Sequence, residues 1–299
     1  MNIFTTLNLP KNNYILTTTI SNAYISAKIN HKGAELFSLQ SNNDNKEYIW
    51  EGNPDFWGKH SPILFPIVGM LKNNSFQINN TTYQLSRHGF ARDMNFELIN
   101  KEVNSVTFSI QSSAETLKIY PFDFELQIHY SLEEKKLNIE YKVINKNQSQ
   151  LPFSIGAHPA FALNGNFEEY ELKFEKEEAL IYTLLENDLI SNKTQILETK
   201  NNLVKLNYKL FENDALIFKK LQSRSLIILK NEIPLIKVHY QSFPHLGIWT
   251  KKNSPFLCIE PWYGYSDTND SAGNIFEKEG IQIIEANEIF NSKFTIEIV

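Results

Sequence analysis

The chain of 299 residues has a single cysteine, Cys258, so an internal disulfide is excluded. A sequence without disulfides is typical of a reducing compartment. No apolar run approaches the about 20 residues that a membrane-spanning helix needs. The first residues, MNIFTTLN, lack the basic start and apolar stretch of a secretion signal. We therefore expect a cytoplasmic protein with no membrane partner.

Positive charge is also scarce, since 29 Lys and Arg face 34 Asp and Glu and the net charge is −5. No basic stripe is present, which argues against a nucleic-acid partner. The sequence has no glycine loop of the kind that cradles phosphates and no ligand spacing typical of a metal site. We expect neither a metal nor another cofactor.

The chain is rich in apolar residues arranged in alternation. Hydrophobic residues make up 42% and aromatic residues 13%. Residues 106–110 (VTFSI), 124–130 (FELQIHY) and 137–143 (LNIEYKV) alternate apolar and polar side chains, as half-buried antiparallel strands do. Residues 131–136 predict a charged hairpin connection, and residues 230–234 predict a second turn between strands. This pattern favours a large, mainly β sandwich or barrel.

Helix signals are few. Residues 113–117 predict one helical turn before Pro121, and residues 201–211 are a candidate for another short helix. No internal repeat or linker divides the chain.

Two apolar stretches each contain one titratable side chain. His158 follows Gly156 closely and precedes Pro159, so its backbone is held extended. Such a histidine exchanges protons near neutral pH; the alternative is a structural histidine under a loop. Glu260 and Cys258 would share one face of a strand. Burial would raise the pKa of Glu260 and make it a better base, unless it is simply paired with a Lys or Arg.

Residues 87–93 (RHGFARD) combine His88 with two guanidinium groups, which suits an oxygen-rich ligand. The alternative is a turn with a local ion pair. Several aromatic side chains suit stacking on sugar rings, although each alone is more often part of a core: Trp50, Phe56, Trp57, Trp249 and Trp262.

Four stretches together resemble the aldose 1-epimerase (galactose mutarotase) superfamily, in particular its LacX-type branch. They are residues 56–69 (FWGKHSPILFPIVG), 88–93 (HGFARD), 156–161 (GAHPAF) and 258–262 (CIEPW). Their order along the chain implies a single domain over residues 1–299. The resemblance implies a galactose mutarotase-like β-supersandwich of antiparallel sheets with few short helices. It also implies cofactor-free interconversion of α and β aldose anomers.

The resemblance implies a role for several residues. Glu260 would be the base that takes the proton of the anomeric hydroxyl, His158 the acid that protonates the ring oxygen, and His88 a hydrogen-bonding partner near that oxygen. Asp214 resembles the substrate-hydroxyl aspartate of the family. We also place Arg92, Trp249, Trp262 and Lys72 among the substrate-binding residues.

The chain departs from the family pattern at Met70, where relatives typically carry an arginine that contacts the sugar. Lys72 or Arg92 would then supply the missing contact. We expect a monomer or homodimer that acts on a monosaccharide or a sugar phosphate, because Arg87, Arg92 and Lys72 suit a phosphate. Two alternatives stay open: a non-catalytic sugar-binding or sensing protein, and a glycosidase that pairs Glu260 with Asp214 or Asp267.

Overall fold

The computed structural model describes residues 16–299, and the N-terminal stretch used for the targeting prediction lies outside them. The strands up to the middle of the chain are β1 (Thr17–Ser21), β2 (Ile25–Asn30), β3 (Glu35–Ser41), β4 (Ile63–Leu64), β5 (Ser75–Ile78), β6 (Thr81–Gln84), β7 (Glu97–Lys101), β8 (Ser105–Gln111), β9 (Phe124–Glu133), β10 (Lys136–Asn145), β11 (Leu151–Phe153) and β12 (Ile155–Ala157). The later strands are β13 (Ala160–Ala162), β14 (Tyr170–Phe174), β15 (Leu180–Glu186), β16 (Leu189–Leu197), β17 (Leu203–Lys205), β18 (Leu216–Phe218), β19 (Ser225–Lys230), β20 (Ile233–His239), β21 (His245–Trp249), β22 (Phe256–Tyr263), β23 (Gln282–Ile284) and β24 (Ile289–Ile298).

Helices are short in the described residues. The α-helix α1 spans Ala114–Ile119 and begins with a capping box between Ser113 and Thr116, so the predicted helical turn is confirmed. Single 3-10 turns occur at Lys72–Asn74, Ala91–Asp93, Phe167–Glu169, Tyr208–Phe211 and Ile275–Glu277. Of the candidate helix within residues 201–211, only the 3-10 turn Tyr208–Phe211 is present, because the first part of this segment forms β17. β17 forms there because it extends the edge of a sheet by pairing with β14.

Two large antiparallel sheets form the body of the fold. One has nine strands in the order β17-β14-β19-β20-β24-β10-β9-β8-β7. The other has eight strands, in the order β16-β15-β18-β21-β22-β12-β4, with β13 also paired to β22. Inward-facing apolar side chains of both sheets share one core, for example Ile128 and Val143 from the first and Leu257 and Ile259 from the second. The expected mainly β, antiparallel architecture is therefore confirmed.

The predicted hairpins are present, with longer strands than the sequence suggested. β9 and β10 pair along their whole length, and only Glu134 and Lys135 connect them. β19 and β20 are joined by Asn231 and Glu232, which both have positive φ as a tight two-residue hairpin requires. No helix in residues 16–299 combines the length and apolarity that a membrane crossing needs.

The buried Asn145 ties the end of β10 to the turn before β24. Its Nδ2 donates to the carbonyl oxygens of Ser149, Ile284 and Glu285 at 2.8, 3.1 and 2.8 Å. Asn145→Ala would leave these three acceptors, of which the Ile284 carbonyl is buried, without their donor, so we expect a loss of about 2 kcal/mol in the free energy of unfolding. Urea denaturation measures this. The exposed Asn43→Ala is the control, with an expected change within about 0.5 kcal/mol, and an equal effect of both changes would contradict the prediction.

Candidate active site

The strand register brings His158 and Glu260 together. β12 pairs with one end of β22 (Gly156 opposite Trp262), and β13 pairs with the other end (Ala160 opposite Cys258). The same register continued between them places His158 opposite Glu260. Pro159 has no N–H to donate, so the ladder is interrupted here and the histidine is free to turn toward its partner. His158 Nε2 lies 3.2 Å from Glu260 Oε2.

The two faces of β22 serve different purposes. Leu257 and Ile259 point into the main core, while Glu260 and Trp262 line a cavity of about 660 Å³. This is the period-two arrangement expected of a strand. Both ionisable partners are deeply buried, since His158 is 8% exposed and Glu260 is 1% exposed. The pair therefore lies at the bottom of the cavity, walled by apolar residues.

Burial controls the protonation of this pair. It lowers the pKa of His158 to about 3, and it raises the pKa of Glu260 well above the ordinary value, with the nearby Asp214 charge raising it further. Removing both groups from water disfavours both charged forms. Both shifts favour a pair in which Glu260 holds the proton and His158 is neutral.

Two polar atoms of this pair lack a hydrogen-bond partner among the described residues. They are His158 Nδ1 and Glu260 Oε2, whose contact with His158 is close but not aligned for a hydrogen bond. Buried polar atoms are normally satisfied, because an unsatisfied one costs free energy. Trp262 Nε1 is likewise unpartnered.

His88 faces the same cavity from another loop. Its ring lies edge-on to that of His158, with the centroids 5.9 Å apart. The N–H of Gly69 donates to His88 Nδ1 at 3.0 Å, so Nδ1 is unprotonated and the ring proton lies on Nε2. Burial lowers the pKa of His88 well below the ordinary value, and the positive charges of Arg92 and Arg87 add to this effect. His88 is therefore a neutral donor through Nε2.

Aromatic rings shape the rest of the wall. Trp57 stacks on His158 at a centroid distance of 4.8 Å, and Trp249 meets it edge-on at 5.8 Å. The Trp262 ring lies over the backbone of two neighbouring strands. A Cβ on Gly156 or Gly247 would come within 2.5 or 2.4 Å of this ring, so glycine is required at both positions. The rings fix the imidazole and narrow the cavity around it.

Charged side chains line the outer part of the cavity. Asp214 has positive φ, and its Oδ1 accepts the N–H of Ala215 at 2.8 Å. Arg87 Nη2 lies 3.1 Å from Asp188 and 3.7 Å from Asp214. Arg92 Nη2 donates to the carbonyl of Arg87 at 2.8 Å. Lys251 and Lys252 also line the cavity.

The structure thus gathers seven of the eight predicted site residues in one cavity. They are Glu260, His158, His88, Asp214, Arg92, Trp249 and Trp262. Lys72 is not among the lining residues, because its ammonium donates to the carbonyl of Ser271 at 3.2 Å. Met70 is also absent from the lining, so neither side chain stands in for the family arginine.

Trp57 and Arg87 also line the cavity, as expected from their place among the candidate stacking aromatics and phosphate-binding cations. Three further residues of the site were not indicated by the sequence. Ser266, Lys251 and Lys252 line the cavity but belong to no recognisable motif.

One cluster of potential metal ligands occurs among residues 16–299. It consists of His158, Cys258 and Glu260, whose ligand atoms lie within 4.8 Å of one another. The Cys258 side chain is fully buried, and burial raises the pKa of its thiol well above the ordinary value. A metal binds the thiolate, which this environment disfavours, so we assign no metal to the cluster.

Comparisons with known proteins agree with this geometry. A sequence profile described as aldose 1-epimerase matches residues 17–281. The chain belongs to the aldose 1-epimerase family. Within that family it is similar to the chromosomal and plasmid forms of protein LacX from Lactococcus lactis subsp. lactis. Each is 35% identical over 278 residues, which cover 88% of this chain and 92% of the relative.

Solved structures of the aldose 1-epimerase family share the whole fold. The galactose mutarotase related enzyme from Lactobacillus acidophilus is 31% identical, with a TM-score of 0.90 over 95% of this chain and 97% of that one. A galactose mutarotase-like protein from Lactobacillus casei ATCC 334 is 29% identical, also with a TM-score of 0.90, over 95% and 100% of the two chains. The galactose mutarotase-like fold and the LacX-type branch are thus both confirmed.

The burial of Glu260 has a consequence for stability. Above its ordinary pKa of 4.5, the unfolded chain has released this proton while the folded protein still holds it. The folded state therefore loses relative stability as the pH rises. Because Glu260→Gln keeps the shape and cannot ionise, we expect it to raise the melting temperature by an amount that grows from pH about 4 upward. Thermal unfolding at several pH values measures the difference.

The exposed Glu140→Gln on β10 is the matched control, since its contact with Lys293 lies at the surface. Its melting temperature should follow the wild type at every pH. A Glu260→Gln variant less stable than wild type at neutral pH would contradict the assignment.

Proposed function

We propose that this protein is a mutarotase that interconverts the α and β anomers of an aldose or aldose phosphate by ring opening and closure. The observation that carries the proposal is the contact between His158 and Glu260, whose Nε2 and Oε2 atoms lie 3.2 Å apart at the bottom of an open cavity. Mutarotation needs one group that takes a proton and one that gives a proton. This pair supplies both.

Glu260 and His158 can together carry out the proton transfers of the reaction. Moving the proton of Glu260 to His158 gives a carboxylate and an imidazolium, which are the base and acid that the cyclic sugar needs. Glu260 then accepts the anomeric hydroxyl proton while His158 donates to the ring oxygen. The bond between C1 and the ring oxygen breaks, and C1 becomes a carbonyl.

Ring opening leaves a protonated Glu260 and a neutral His158. This is the state that burial favours in the free protein, so the site is preorganised for the open-chain intermediate. Rotation about the C1–C2 bond presents the other carbonyl face, and reversal of both transfers closes the ring as the other anomer. The neutral His88 donates through Nε2 to the ring oxygen or a neighbouring hydroxyl.

The charge of the cavity bears on the sugar. Arg87, Arg92, Lys251 and Lys252 line it, against the carboxyl groups of Asp214 and Glu260. Guanidinium groups suit phosphate oxygens. These features support an aldose phosphate alongside a free aldose.

Anomer exchange measured by NMR tests the reaction across hexoses, pentoses and their phosphates. We expect wild type to accelerate exchange, and Glu260→Gln and His158→Asn each to reduce it by about 100-fold or more, because each removes one proton-transfer group. Glu140→Gln should retain full activity. Sugar binding without acceleration of any sugar would overturn the proposal in favour of a sensing protein, and release of sugar from a glycoside would indicate hydrolysis.

The proton pair also predicts the pH profile. Activity requires one proton on the pair, and adding a second means protonating His158, whose pKa burial lowers from 6.5 to about 3. We therefore expect kcat/KM for a neutral hexose, after subtraction of the spontaneous rate, to stay level as the pH falls through 6.5 toward about 5. A neutral hexose is needed because a phosphate would itself titrate. A fall in kcat/KM with its midpoint near 6.5 would contradict this assignment of one proton to the pair.

A further inference from the structure

The segment of residues 69–72 (GMLK) holds His88 through two hydrogen bonds. The N–H of Gly69 donates to His88 Nδ1 at 3.0 Å, and the N–H of His88 donates to the Gly69 carbonyl at 2.8 Å. The first bond determines the tautomer, because an accepting Nδ1 leaves the proton on Nε2. The orientation of Gly69 therefore determines which nitrogen of His88 donates into the cavity.

Residues 266 and 267 hold this segment by hydrogen bonds. The N–H of Met70 donates to Ser266 Oγ at 2.9 Å, and the N–H of Asp267 donates to the Met70 carbonyl at 2.7 Å. The N–H of Lys72 donates to Asp267 Oδ2 at 2.9 Å. The segment therefore acts through its backbone N–H and carbonyl groups, including those of Met70, the position where relatives typically carry an arginine.

Asp267 is in turn anchored by a buried lysine. Lys278 Nζ lies 3.0 Å from Asp267 Oδ1, and both side chains are almost fully buried, at 2% and 3% exposure. Lys278 Nζ also donates to the carbonyl of Tyr265 at 2.6 Å. Neither Asp267 nor Lys278 lines the cavity that contains Glu260. Burying two charges costs desolvation free energy, so stability alone is a weak reason for such a pair.

We propose that Asp267 and Lys278 are positioning residues for His88. Lys278 fixes the Asp267 carboxylate, the carboxylate and its own backbone fix residues 70–72, and Gly69 then holds His88 in the tautomer that donates through Nε2. The effect on catalysis rests on the proposed function. The effect on the His88 tautomer does not depend on it.

The Asp267→Asn variant tests the proposal, because it leaves Lys278 without its counter-charge. Long-range ¹H–¹⁵N NMR of protein labelled at histidine reports the tautomer, and the missing signals of His88→Gln identify His88. We expect a single Nε2–H tautomer in wild type and a mixture of tautomers in Asp267→Asn. We also expect kcat to fall roughly 10-fold to 100-fold, as for a small misplacement of a group in the site, with a smaller change in KM.

Two further variants separate positioning from loss of stability. Ile139→Ala, in the core on a sheet that contributes nothing to the cavity, should lower the melting temperature yet keep the His88 tautomer and kcat. Asp267→Asn combined with Lys278→Met removes both charges and should fold where the single variant fails, because no unpaired buried charge remains. It should regain stability without restoring the tautomer.

The proposal is overturned if the ¹⁵N chemical shifts of His88 stay as in wild type both in Asp267→Asn and in the double variant. The two proposals can fail separately. If Asp267→Asn changes the His88 tautomer but the wild-type protein accelerates no anomer exchange, the positioning role stands and the proposed function is refuted.

Discussion

The site depends on one strand register. Residues 155–162 run antiparallel to β22, and Pro159 interrupts the ladder where His158 meets Glu260. Regular pairing on both sides of the break fixes the two backbones, so the contact of 3.2 Å follows from the sheet rather than from flexible loops. A site built on strands is held more rigidly than one built on loops alone. The glycines at 156 and 247 extend this effect, because they let the Trp262 ring lie against the same strands.

Burial shifts the pKa values of His158 and Glu260, and it also lowers the stability of the folded protein. In water a histidine and a glutamate are both charged between their ordinary pKa values of 4.5 and 6.5, whereas here burial drives both toward neutrality. In the proposed mechanism, the proton of this pair moves between the two groups, so that they act as a reversible acid and base. The burial of Glu260 costs stability above its ordinary pKa, and such a cost is common at functional sites.

The second support of the site is a chain of hydrogen bonds that begins far from the cavity. It runs from Lys278 through Asp267 to the backbone of residues 70–72, and from Gly69 to His88. Most of these bonds involve backbone atoms. The side chain at position 70 is therefore free to differ from the family arginine without disturbing the histidine behind it.

The amino-acid sequence determined the β-rich architecture, because alternation of the kind seen in residues 124–130 leaves a strand only one way to bury its apolar face. It also indicated Glu260, His158 and His88, because each is a titratable residue within an apolar or glycine-bounded motif. The tertiary structure decided the rest. The register that makes His158 and Glu260 partners, the place of Trp57 over His158, and the exclusion of Lys72 all depend on contacts between residues distant in sequence. Such contacts leave no local periodicity or spacing, so only the folded chain reveals them.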